Sequence, residues 1–214
     1  MRSIEAEIER TTQLAYSVGS EFITLRKYKD DREWWVLCHA IALLKRWNEL
    51  VPEYACKTDP PEPDFITYDS SKELFKPIEI VEVMTPNRKR GDEHKESEKI
   101  LTPSVKPIEK PKDPWSSFII SLNNKFLKFY QFNCWLIVYN NMVYEEISNS
   151  GFWHNILLAN VKLWKEQNIV DFSKAQYERI FVLNAIAKAL VCIHPDLSEI
   201  VPETNSNGFT IINY

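Results

Sequence analysis

Glycine is scarce in this chain, with four in 214 residues. That leaves no glycine-rich loop to cradle a phosphate, and Gly-x-Ser-x-Gly does not occur, so kinases, dinucleotide enzymes and serine hydrolases of the nucleophile-elbow type fall away. Cysteine is equally thin. Cys38, Cys56, Cys134 and Cys192 stand far apart, with no Cys-x-x-Cys pair and no histidine at zinc-like spacing. His39 adjoins Cys38, but neighbours on one helix point in different directions. Free, mostly buried thiols in a reducing cytoplasm are expected. No stretch approaches the roughly 18 apolar residues of a membrane helix, and the opening MRSIEAEIER has no apolar signal core, so a soluble, cytoplasmic protein without membrane contact is expected. Charge of one sign is lacking too: the net charge is −4. The bulk balance does not announce a nucleic-acid binder, although a local basic patch can sit on an acidic body.

What is present argues for a packed core. Apolar residues make up 44% of the chain and aromatic residues 13%, with seven tryptophans, a composition that favours folding over disorder. The length suits a single domain, expected over 1–198, followed by a tail at 199–214.

Residues 3 to 18 pattern as a peripheral helix that Ser3 can cap. A stronger helix follows, capped by Asp31, with Trp34, Trp35, Leu37, Cys38, Ile41, Leu44 and Trp47 on a wide apolar face and Pro52 beyond its end. Pro60, Pro61 and Pro63 hold the chain extended before Asp64. Residues 64 to 68 and 77 to 84 then read as strands joined as a hairpin. Residues 86 to 113 change character: from Arg88 to Asp113 there are eight Lys or Arg and six Asp or Glu, with Pro103, Pro107 and Pro111, and a charged flexible loop is expected. Asp113-Pro114 has the cap and first-turn proline of a helix with Phe118, Ile119, Leu122, Phe126 and Phe129 on its buried side. Residues 134 to 139 form a continuous apolar strand. A helix over 152 to 167 and strands over 178 to 184 and 188 to 193 complete the order. The alternation implies an α/β fold with a mixed β-sheet flanked by helices.

The informative stretch is Glu62 to Lys95. Asp64 opens the first strand of the hairpin, Glu79 and Glu82 lie in the second, and Arg88, Lys89 and Arg90 follow. Carboxylates on adjacent strands can share a divalent cation, because Mg²⁺ takes one or two carboxylates and completes its shell with water and substrate. A cation beside them can hold the phosphate under attack.

Pro63-Asp64 before an apolar strand, Ile78-Glu79-Ile80-Val81 fifteen residues on, and the helix–hairpin–helix–strand order resemble the PD-(D/E)XK superfamily of restriction-endonuclease-like nucleases. The stretches NNKFLKFYQFNCWLIVYN (123–140) and ERIFVLN (178–184) look like the later half of its small members, so the similarity spans roughly residues 32 to 193. The resemblance implies a restriction-endonuclease-like fold and a metal-dependent nuclease acting on DNA. Asp64 and Glu79 would hold Mg²⁺ or Mn²⁺, Glu82 would be a third carboxylate, and Arg88, Lys89 and Arg90 would contact phosphate. Glu33 or Glu49 on the opening helix is a further candidate ligand. One departure stands out. The lysine that the family carries two residues after the second carboxylate is Val81 here, or Met84 if Glu82 takes that role. Lys89 or its neighbours are the candidates to replace it.

Each of these residues has a plainer reading. Asp64 fits a turn after prolines, Glu79 a structural ion pair, Glu82 a solvated strand face, and the basic cluster a solvated run. Lys125 and Lys128 lie on what reads as the outer side of their helix, where they could face a nucleic acid. His39, His94, His154 and His194 are not spaced as metal pairs. The Trp and Phe periodicities read as core and not as stacking platforms. The missing lysine, the acidic balance and apolar helices suited to a homodimer favour the alternative, a non-catalytic nucleic-acid-binding or protein-interaction module of the same fold.

Overall fold

A computed structural model describes residues 1–19, 21–24, 26–46, 52–84, 115–128, 133–141, 153–184, 189–195 and 198–200. Helix α1 (Ile4–Val18) begins where Ser3 accepts the backbone N–H of Ala6, with Glu5 and Glu7 in its first turn, where the helix dipole favours negative charge. It ends at Gly19, whose φ of 58° is disfavoured for residues that carry a Cβ and whose N–H closes on the Ala15 carbonyl. A short α2 (Glu21–Thr24) leads into α3 (Lys29–Arg46). Trp34, Leu37, Cys38, Ile41 and Leu44 of α3 are all buried, as their helical spacing requires.

One eight-stranded sheet runs in sequence order: β1 (Arg2–Ser3), β2 (Tyr54–Lys57), β3 (Phe65–Asp69), β4 (Leu74–Met84), β5 (Cys134–Asn141), β6 (Tyr177–Asn184), β7 (Ala189–His194) and β8 (Ser198–Ile200). The first four strands are antiparallel neighbours, β4, β5 and β6 are parallel, and β7 and β8 are antiparallel again. The two parallel steps are made by crossovers that contain α4 (Ser116–Phe126) and α5 (Trp153–Glu166). Every residue from Cys134 to Tyr139 is buried, as befits a central strand covered on both faces.

Strand alternation divides the interior into two cores. Phe65, Ile78, Ile80, Trp135, Ile137 and Phe181 point toward α1 and α3. Val83, Leu136, Val138, Ile180 and Val182 point the other way, under Phe118, Leu122 and Phe126 of α4 and Leu157, Val161 and Trp164 of α5. The Phe65 ring, fully buried, meets Trp34 edge-on with ring centroids 4.8 Å apart, a geometry that adds to the gain from burial alone.

The mixed α/β sheet agrees with the sequence expectation, but three strands are additional. β2 sits between Pro52 and Pro60, in a stretch for which the sequence suggested no element. β1 and β8, two and three residues long, are too short to show a period, and β8 takes the sheet into residues assigned to the tail. β4 also starts three residues before Pro77. There it borders β3 alone, since pairing with β5 begins at Ile78, and a proline is tolerated on an edge. The loop expected at 86–113 and the Asp113-Pro114 cap lie outside the described residues. Within them, no helix is long and apolar enough to cross a membrane.

Candidate functional site

The register Phe65↔Ile78, continued by one residue, sets Asp64 opposite Glu79. Here β3 leaves the ladder and side chains take over its hydrogen bonds. The Ile80 N–H donates to Oδ2 of Asp64 at 2.8 Å, and the Asp64 N–H donates to Oε2 of Glu79 at 3.2 Å. Each carboxylate is thereby pinned to the opposing strand, and both are fixed at one point on the rim of the antiparallel half.

Glu79 is 2% exposed, and a carboxylate so buried must be paired. Its Oε1 accepts a short hydrogen bond from the Lys125 ammonium and a second, at 3.1 Å, from Nζ of Lys128. Lys125 lies in the last turn of α4, which Leu122 and Phe126 seat in the core, and Lys128 lies just beyond its end. Lys125 thus lies against β4 and not on the outer side of its helix. Its Nζ also lies 3.5 Å from the Ile80 carbonyl, and its own carbonyl accepts from the Tyr177 hydroxyl at 3.4 Å. The Lys125 side chain is 15% exposed and that of Lys128 54%, so Lys128 is the one that reaches solvent. Burial opposes the charge on Lys128, but Glu79 outweighs it and holds the ammonium above its ordinary value.

Asp64 is perturbed the other way. Burial, and then the neighbouring charge of Glu79, push its carboxyl up to about 6, against the Ile80 hydrogen bond and the Lys125 charge, which favour ionisation. Its Oδ1 takes no hydrogen bond among the described residues. Glu33, near the start of α3, is close enough to add to the repulsion. It is paired with Lys57 at 2.6 Å and with Lys29 at 3.2 Å.

Glu82 falls on the opposite sheet face, since it alternates with Ile78 and Ile80 toward α3. Arg88, Lys89, Arg90, His94 and Glu49 lie outside the described residues. The side chains brought together are therefore Asp64, Glu79, Lys125 and Lys128. The signal for Lys125 was its position three residues after Leu122, on the rim of a buried stripe.

Two carboxylates and an ammonium at one point can bind a hard cation and an anion side by side. Among the described residues, no group of three or more His, Cys, Asp and Glu side chains is placed to hold a metal. The donor set is two carboxylates, one with an uncommitted oxygen and a raised pKa that a cation would relieve. That fits an ion such as Mg²⁺, which keeps waters and takes few protein ligands. Thiol chemistry is disfavoured: Cys134, beside Glu79, is pushed up to about 12 by burial and by that carboxylate. His39 lies 2.8 Å from the Trp35 carbonyl and packs at a tilt against its ring, and His194 stacks on Phe172, as structural histidines do.

Comparison of the chain with family models, with curated proteins and with solved structures finds no match in any of the three.

Proposed function

We propose that the protein is a divalent-metal-dependent nuclease that hydrolyses phosphodiester bonds in DNA, built on a restriction-endonuclease-like fold. The observation that carries this reading is the arrival of Lys125 at the Asp64–Glu79 pair. The lysine missing at Val81 has a counterpart that comes from the following helix and reaches the same carboxylate. The order of helix α3, the β2–β3–β4 meander, helix α4 and parallel β5 supports it.

In this reading Asp64 and Glu79 hold Mg²⁺ or Mn²⁺. The bound ion supplies charge neutralisation at the phosphoryl oxygens and a more acidic water. Lys125 orients the attacking water and offsets developing charge, while the exposed ammonium of Lys128 meets the DNA backbone. Arg88, Lys89 and Arg90, which follow β4 in the chain, add phosphate contacts.

The test is cleavage of plasmid and linear DNA with Mg²⁺, Mn²⁺ or EDTA by the wild type, Asp64→Ala and Lys128→Ala. Metal-dependent cutting that Asp64→Ala abolishes and Lys128→Ala only weakens supports the reading. Cutting that survives Asp64→Ala, or no cutting under any condition, removes it.

One observation favours the alternative, a non-catalytic nucleic-acid-binding or protein-interaction module. Both oxygens of Glu79 already have partners, much as buried Glu7 is held by Arg2 and Arg10. In that reading divalent cations change neither stability nor DNA binding.

A further inference from the structure

The sheet face that carries the carboxylates holds two further cross-strand rows. Registers Tyr54↔Tyr68 and Tyr68↔Phe75 align three aromatic side chains on β2, β3 and β4. Registers Cys56↔Ile66 and Ile66↔Pro77 align a second row between them and Asp64–Glu79. Alternation puts all of these opposite Ala55, Phe65 and Ile78, which face α3. None of the six belongs to either core, because among the described residues α4 and α5 cover this face only from β4 onward.

The two outer rings of the row are open to solvent, and Tyr68 between them is half-buried. Phe75 is 58% exposed and Tyr54 44%, and the Tyr68 and Phe75 rings pack at 4.6 Å. Isolated exposed aromatics need no explanation, but three in register on adjacent strands form a continuous apolar strip. At about 3.3 Å per residue, the strip lies roughly 13 Å along the strands from the carboxylates. The Ile66–Pro77 row separates it from Glu79, which holds the Lys125 and Lys128 ammonium groups.

We propose that this half of the sheet, which no described helix covers, is a track for single-stranded DNA. Bases stack on Phe75, Tyr68 and Tyr54, and the backbone crosses the Ile66–Pro77 row to reach Lys128 and the carboxylate pair. Stacking requires bases that are out of a duplex, since ring faces within one are already covered. The single strand is therefore the preferred substrate form. This deepens the nuclease reading and rests on it for the chemistry, though not for binding.

The test is fluorescence anisotropy in EDTA with a labelled oligothymidylate and with a duplex of equal length. The proteins are the wild type, Phe75→Ala, Tyr54→Ala and Phe75→Tyr, all changed at exposed positions that leave both cores intact. The expected result is tighter binding of the single strand than of the duplex, weakened about five- to a hundredfold by Phe75→Ala and kept by Phe75→Tyr. Equal or tighter duplex binding, or single-strand binding unchanged in Phe75→Ala, overturns the track. Metal-dependent cleavage measured in parallel separates the two readings. Cleavage without ring-dependent binding removes the track alone, and ring-dependent binding without cleavage supports the track and removes the nuclease.

Discussion

Replacing Asp64 by asparagine takes one negative charge from beside buried Glu79 and keeps an oxygen to accept the Ile80 N–H. The carboxyl of Asp64 is pushed up from 3.8 to about 6. At about 1.4 kcal/mol per pH unit, an ionised Asp64 then costs the fold up to about 3 kcal/mol relative to an unperturbed aspartate. Asp64 is only half-buried, so solvent screening reduces this to an expected gain of roughly 1–2 kcal/mol for Asp64→Asn at neutral pH. The sign follows from linkage. A raised folded-state pKa means that the native state binds the proton more tightly, so this group's contribution falls as pH rises from about 4 through about 6. Wild type and variant should match near pH 4, where Asp64 is protonated, and diverge above pH 6 with the variant more stable. Urea unfolding of both proteins at a series of pH values reads this directly. A variant less stable than the wild type at pH 7.5, or a difference that does not change with pH, would refute the reasoning.

Three further outcomes follow from the packing. Lys125→Met leaves Glu79 buried with Lys128 as its remaining ammonium partner, and should cost about 1.5–3 kcal/mol in urea unfolding, the range for losing one hydrogen bond to a charged group while the buried charge stays compensated. Phe65→Ala removes a fully buried ring from against Trp34 and should cost about 3–5 kcal/mol; a loss under 1 kcal/mol would contradict the packing described. Among the thiols, half-buried Cys56 should alkylate first at pH 8, with Cys38 and Cys134, both pushed up to about 12, protected until unfolding. Mass spectrometry of the modified peptides decides the order.

The parts of the molecule legible in the sequence are those with a strong local period. The apolar face of α3, the central run of β5 and the alternation of β4 were each visible in one window. Asp64 and Glu79 could be named separately for the same reason. That they oppose one another depends on the Phe65↔Ile78 register, a non-local pairing that no window contains. Lys125 was legible only as a residue that could face a nucleic acid; its pairing with Glu79, 46 positions away, exists only once α4 packs on β4. The aromatic row was equally hidden, because Tyr54, Tyr68 and Phe75 come from three strands and none is part of a period. Glu82 shows the converse, a residue of the same strand as Glu79 that alternation turns to the opposite face.

The central claim is that Asp64 and Glu79 together hold one divalent cation. Calorimetric titration of Mn²⁺ into the wild type and into Asp64→Asn, which should stay folded, tests it most directly. The account predicts one site per chain in the wild type and none in the variant. No binding at millimolar Mn²⁺, or equal binding by both proteins, would contradict it.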